Sequence, residues 1–228
     1  MRILFLIFIF LNIIHASQIA TIEKIVGKVK VLKANELRAT KATLNQKLFE
    51  DDLLITYSNS MTTIKLDDKS FITLDQKTKL RIVDMKKLKQ EEGQVFYNIE
   101  TQGKNRVEVA TNFATIGVKG TKFLINDTID KKDVSLKTGL IGVSSLSGEF
   151  EIHKKKKKTL SEYEQYKLAH EYDFEKYKIK INEEFIEYKK EFELKPHYTI
   201  SFNKNVVNEN KTEQHIKKEF KRFETFQK

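Results

Sequence analysis

The chain has 228 residues, a net charge of +10 and no cysteine, which excludes disulfides, thiolate metal sites and thiol catalysis. Its length suffices for one domain of about 130 residues plus an appendage, large enough to bury a core without covalent staples. The positive charge invites a nucleic-acid reading, but the N-terminus points out of the cytosol.

Met1 and Arg2 precede an unbroken apolar run from Ile3 to Leu11, then Asn12, Ile13, Ile14, His15 and the small residues Ala16 and Ser17. This is the charged start, short apolar stretch and small-residue exit of a secretory signal, with cleavage expected between Ala16 and Ser17. As a helix, Ile3 to Ile14 would reach only about 18 Å at 1.5 Å per residue, short of the roughly 30 Å hydrocarbon core. A signal peptide over residues 1–16 and a periplasmic product are therefore expected, with an uncleaved membrane anchor as the alternative. Loss of residues 1–16 removes one arginine and no acid, so the net charge falls only to +9. An exported basic protein meets an envelope protein or an anionic cell-surface polymer, not nucleic acid.

From Ile22 to Ile152 short alternating runs rich in β-branched residues are separated by polar turns, an all-β pattern. The pair Ile64 and Leu66 recurs as Ile72 and Leu74 and again as Leu80 and Ile82, each eight residues on. Aspartates at 67, 68 and 75 supply the intervening turns. Equal spacing fits either a tight meander or the rungs of a small β-solenoid. Further strands are expected at Val29 to Leu32, Val95 to Ile99, Val134 to Leu136, Ile141 to Val143 and Phe150 to Ile152.

The run from Val107 to Ile125 has its own character. Val107 and Val109 face one way on a strand, Phe123 and Ile125 the same way on the next, and a rigid loop is expected between them. Gly117 and Gly120 bracket Val118 and Lys119, a spacing expected where backbone needs positive φ or approaches a neighbouring strand closely. The spacing differs from that of a phosphate-binding loop, so a turn of the β scaffold is expected.

Five lysines from Lys154 to Lys158 end this pattern; they read as a solvated run or as an electrostatic tether. Residues 161–195 carry no glycine and a proline only beyond them, with Ser161 and Glu164 spaced as a capping box. Phe174, Tyr177, Ile181, Phe185, Tyr188 and Phe192 step by three or four, which predicts an amphipathic helix ended by Pro196. Its stripe packs on the β domain or on a second copy, giving a homo-oligomer, or it faces a partner or membrane. The polar tail, residues 197–228, is expected to be partly disordered, with a short helix allowed from Glu213 to Phe226.

Beyond the signal segment, all histidines lie at His153 or later, so the β region holds no Ser-His-Asp triad or histidine metal centre. No cofactor or metal is expected. Asp51 with Asp52, or Asp67 with Asp68, could pair as acid and base in a cell-wall glycan enzyme, but turn positions favour structural roles.

Several of these segments together resemble the FecR domain, in which a hydrophobic residue, threonine and a small residue precede G-V-R-G-T, an aromatic and a hydrophobic residue. Thr111, Ala114, Gly117, Val118, Gly120, Thr121 and Phe123 match, and Lys119 replaces the usual arginine. D-D-L-L-I-T from Asp51, L-D-D-K-S-F-I-T-L from Leu66, G-Q-V-F-Y-N-I from Gly93 and V-S-L-K-T-G-L-I-G-V from Val134 follow the family's order, so the resemblance covers about residues 20 to 152. Asp51, Tyr57 and Lys69 stand where the family commonly has glycine, and altered turns are expected there. The resemblance implies a mainly β domain, solenoid or sandwich, followed here by an amphipathic helix. It also implies signalling: FecR relays a signal from an outer-membrane iron-chelate receptor to a cytoplasmic sigma factor. Only Met1 and Arg2 precede the signal segment, so a stand-alone, non-enzymatic periplasmic binding or scaffolding module is expected.

Overall fold

In a computed structural model, residues 18–100, 107–155 and 184–228 are described. The signal segment with Ala16 and Ser17, most of the lysine run, and residues 161–183 with Phe174, Tyr177 and Ile181 lie outside them. No helix among the described residues is long and apolar enough to cross a membrane.

The fold is mainly β with one described helix, as the sequence predicts, and its hydrogen-bonded ladders form two facing layers. The strands in chain order are β1 (Ala20–Val26), β2 (Val29–Leu32), β3 (Thr40–Lys41), β4 (Lys47–Leu48), β5 (Leu53–Thr56) and β6 (Met61–Leu66). Next come β7 (Phe71–Leu74), β8 (Lys79–Ile82), β9 (Lys87–Asn98), β10 (Val107–Ala110), β11 (Thr115–Asp127) and β12 (Lys132–Ser144). The series ends with β13 (Phe150–Lys155), β14 (Glu184–Lys189), β15 (Glu191–Leu194), β16 (Tyr198–Asn203), β17 (Val206–Lys211) and helix α1 (Gln214–Gln227).

Three long strands tie the layers together. The second half of β9 pairs with β7 and β11, while its first half pairs with β8 and β10. Strands β11 and β12 divide in the same way, their hairpin-proximal halves lying in the first layer with β16 and their distal halves in the second with β15. The first layer thus runs β4-β1-β6-β7-β9-β11-β12-β16-β17-β13-β14 and the second β3-β2-β5-β8-β9-β10-β11-β12-β15.

The crossing points need glycine. Gly93 has φ +94, and a Cβ there would lie 2.6 Å from the Thr78 Cα. Gly139 has φ +91, and its Cβ would lie 3.0 Å from the Thr121 Cα. Any side chain at either position would be driven into backbone, so the bends depend on its absence.

The eight-residue repeat is a repeat of core positions: Ile64, Leu66, Ile72, Leu74, Leu80 and Ile82 are all buried in one cluster between the layers. It is neither a meander nor a stack of rungs, because β7 and β8 are not neighbours; β7 pairs with β6 in one layer and β8 with β5 in the other. Tyr97 and Phe123 stack in this core at 4.7 Å between centroids, each burial worth roughly 1.5–3 kcal/mol before ordering entropy. A buried polar pair sits beside them, with the Tyr97 hydroxyl donating to Gln90 Oε1 at 3.0 Å and Gln90 Nε2 donating to the Gly93 carbonyl at 2.8 Å.

Two expectations change. Residues 184–194 are strands, not the end of a helix over 161–195: Phe192 and Leu194 point inward and Glu191 and Glu193 outward, a period of two. Phe192 is 7% exposed and packs on Phe150, whereas Tyr188 is 63% exposed, so these two members of the expected stripe do not share one face. Long-range pairing with β12 and β13 decides this segment over its local periodicity. The tail is also more ordered than its polarity predicts, since β16, β17 and α1 complete the first layer, the helix falling within a residue of the span allowed for it. Ile216, Phe220 and Phe223, spaced four and three, bury against Phe96 and Leu124 on that layer's outer face.

The turns at Asp51 and Lys69 keep left-handed geometry, with φ of 62° and 71°, instead of altering it. Tyr57 is not among the positive-φ residues. In the β6–β7 hairpin the Lys69 amide donates to the Leu66 carbonyl at 3.0 Å, and Asp68 accepts from the Ser70 amide at 2.8 Å. Those bonds compensate the roughly 1 kcal/mol or more that a side chain costs at positive φ.

Candidate functional site

The run from Thr111 to Phe123 is not a loop between two strands. It is a tight turn followed by one continuous strand, β11, that bends at Gly120 with φ +61. Thr111 holds the turn: its hydroxyl donates to the Ala114 carbonyl at 2.8 Å and accepts from the amides of Ala114 at 3.0 Å and Phe113 at 3.2 Å. Ala114, Val118 and Phe123 are core residues, and Thr121 is buried at the bulge beside Gly139. Folding accounts for each of these residues.

Gly117 and Lys119 are different. Gly117 has no positive φ, and a Cβ there would meet nothing closer than the Gly142 carbonyl oxygen at 3.9 Å. Gly142 is its cross-strand partner, also without positive φ, and its Cβ would meet only the Gly117 carbonyl oxygen at 3.8 Å. Neither the close approach nor the strained backbone expected of Gly117 exists. Both glycines face outward from the second layer, and together they leave a patch of bare peptide.

Register places the walls. Directly opposite residues share a face, so Lys87, Glu108, Gly117, Gly142 and Glu193 form one row across β9, β10, β11, β12 and β15. With strands about 4.8 Å apart, the backbones carrying Glu108 and Glu193 stand roughly 14 Å apart across the glycines. Thr115 and Ser144 bound the bare patch on one side, Lys119 and Leu140 on the other. The resulting pit lies in a cavity of about 810 Å³ that extends over Asp84, Lys86 and Glu191.

Its charges are mixed. Lys87 pairs with Glu108 at 3.5 Å, whereas no cation among the described residues pairs with Glu191 or Glu193, both exposed on the edge strand β15. Leu140 is 47% exposed, an apolar side chain left at the rim.

The acidic pairs weighed for catalysis do other work. Asp52 is buried, and its carboxylate accepts from the Phe49 amide at 3.0 Å and the Ala34 amide at 3.3 Å, pinning two loops. Asp51, Asp67 and Asp68 shape turns. Among the described residues no cluster of three His, Asp or Glu side chains is arranged to hold a metal. His153 pairs with Glu151 at 2.9 Å and His215 with Glu213 at 3.1 Å, both away from the pit.

Residues 52–142 match the family model described as FecR protein. Over this stretch the chain is similar to the FecR domain, as its motifs imply. The stretch runs from the start of β5 to Gly142, so both pit glycines belong to it, while the wall at Glu191 and Glu193 comes from beyond it. Two crystal structures of a candidate anti-sigma factor from Parabacteroides distasonis ATCC 8503, at 1.65 and 2.50 Å resolution, are similar at 15% identity with a TM-score of 0.47. The similarity covers 70% of this chain and 59% of theirs, so the chain spans less than two thirds of that protein. No curated protein matches the chain.

Sequence reasoning reached Gly117 and Lys119 through the FecR pattern. It reached Gly142 only within the family-matching string from Val134 and missed Glu191 and Glu193, whose signal was their alternation with Phe192 and Leu194.

Proposed function

We propose that this protein is an exported, non-enzymatic FecR-domain module that takes part in envelope signalling by binding a protein partner at the outer face of its second layer. The observation that carries this reading is the pit: the FecR motif residues that folding does not require line an open, mixed-charge surface. FecR-type proteins are regulatory, and the aspartates weighed for catalysis are engaged in turns and loops. Mixed charge suits a protein partner better than an anionic polymer, which the glutamates would repel. The signal pattern ending at Ala16 supports the periplasm as the place of action.

Cell fractionation with mass spectrometry of the N-terminus tests location: a periplasmic chain starting at Ser17 is expected, and a cytosolic chain retaining Met1 would overturn it. Transcript profiles of cells producing the wild-type chain or Gly142→Val test the rest. A reproducible set of genes should respond differently to the two, and identical profiles would remove both signalling and the pit's part in it.

A further inference from the structure

We propose that the pit receives an arginine side chain of a partner polypeptide, its guanidinium lying on the bare peptide planes of Gly117 and Gly142, between Glu108 and the Glu191–Glu193 wall. This rests on reading the outer face of the second layer as a binding surface and adds the chemistry of its occupant.

The glycines come first. A glycine inside a strand costs roughly 0.5–1 kcal/mol relative to alanine, and neither of these offsets that cost with a turn, a bend or a tight approach. Two such glycines opposite each other, on an outward face, leave a depression one side chain deep. Strand glycines without a packing reason mark places where something else approaches the backbone.

The walls then select the visitor. Glu193 lies in the glycine row and Glu191 in the next, neither paired with a cation among the described residues, while Glu108 closes the far side with part of its charge already met by Lys87. On the glycine floor a phosphate or an acidic side chain would meet the carboxylates of Glu108, Glu191 and Glu193, against Lys119 at the rim, Lys86 further along the cavity and Lys87, which is already paired with Glu108. A neutral aromatic ring would cover the floor but leave those carboxylates unanswered. A lysine would meet the charge with a compact, strongly hydrated ammonium that does not stack. A guanidinium is planar, weakly hydrated and donates in a fork that matches carboxylates, so it satisfies floor and wall together. Half-exposed Leu140 covers the aliphatic stem of such a side chain, as apolar surface does for long cationic residues elsewhere. Lys119, exposed at the same rim, favours a neutral or acidic residue beside the arginine. The cavity, about 810 Å³, has room for the arginine and its immediate neighbours in the chain.

The test is titration of the isotopically labelled protein with the capped tripeptides Ala-Arg-Ala, Ala-Lys-Ala and Ala-Glu-Ala, following backbone amide resonances. The arginine peptide should move the Gly117 and Gly142 signals saturably, the lysine peptide severalfold more weakly, and the glutamate peptide not at all. Glu193→Gln should weaken the arginine peptide about tenfold, equivalent to roughly 1.4 kcal/mol. Gly142→Val should abolish the shifts while leaving the thermal midpoint no lower than that of the wild type. Equal movement by all three peptides, no movement by the arginine peptide, or a Gly142→Val chain that melts markedly earlier would each overturn the socket. If the glutamate peptide alone moves the two signals, or none does while Gly142→Val still alters transcripts, the arginine fails and the binding face stands. Silence from every peptide together with unchanged transcripts removes both.

Discussion

The two outer faces of this sandwich share strands β9, β11 and β12 yet are finished in opposite ways. On the first layer the outward residues of β9 and β11 are Phe96 and Leu124, and α1 closes over them with Ile216, Phe220 and Phe223. On the second layer the outward residues of β11 and β12 are Gly117 and Gly142, and no described element covers them. One strand therefore carries leucine where it will be roofed and glycine where it will not. The difference teaches that the sequence of β11 is written by what lies above it, since the backbone is extended in both halves.

The largest effect should come from the roof. Phe223 is fully buried and stacks with Phe96 at 5.7 Å between centroids, and Phe220 meets the same ring edge-on at 5.9 Å. Phe223→Ala should cost about 3–5 kcal/mol, read from denaturant unfolding. A loss below about 1 kcal/mol would mean that the helix is an accessory, and the two faces would then be less different than they look. The ion pairs at its margin, Arg222 with Asp75 and Lys137 with Glu224, are too exposed to hold it alone.

Next come the crossing glycines, which sharpen the contrast with the pit. Gly93→Ala places a Cβ 2.6 Å from the Thr78 Cα at a φ of +94, so a destabilisation of about 2–4 kcal/mol is expected by thermal or chemical denaturation. If that variant melts like the wild type, the bends tolerate side chains and the glycine pattern loses its meaning.

These residues also show how much the sequence disclosed. Period two with β-branched residues located the strands, and the eight-residue recurrence located core positions, because both follow from local geometry. The assignment of β7 and β8 to different layers did not, since it depends on where β9 bends. Residues 184–194 misled because aromatic residues three and four apart satisfy a helical wheel, and only partners 29 to 53 residues away make them strands. The pit was half visible: the family pattern marked Gly117, but the meeting of Gly117, Gly142 and Glu193 is a matter of register between distant segments.

A smaller effect tests the junction between the layers. The Tyr97 phenol is wholly buried, and burial first, then the charge of Asp127, pushes its ionisation well above tyrosine's ordinary value near 10. The folded chain thus keeps a proton that the unfolded chain releases. The stability this contributes is complete below pH 10 and is lost as pH rises toward the folded value. Tyr97→Phe should cost about 1–3 kcal/mol at neutral pH by leaving Gln90 Oε1 without its donor, and should flatten the alkaline decline. An unchanged decline above pH 10 would assign it to other groups.

The smallest expected effect separates the faces most cleanly. At Gly117 a methyl group would stand 3.9 Å from the Gly142 carbonyl oxygen, an ordinary contact, on backbone that any residue adopts. Gly117→Ala should therefore leave stability unchanged or raise it by up to about 1 kcal/mol, because the unfolded chain loses freedom that the folded chain never used. The same substitution at Gly93 cannot do this, although both glycines lie in strands and both are matched by the FecR model. A chain stabilised by Gly117→Ala and impaired in binding would show that this glycine is kept for what rests on it. A chain destabilised by more than about 1 kcal/mol would show instead that the floor of the pit is part of the fold.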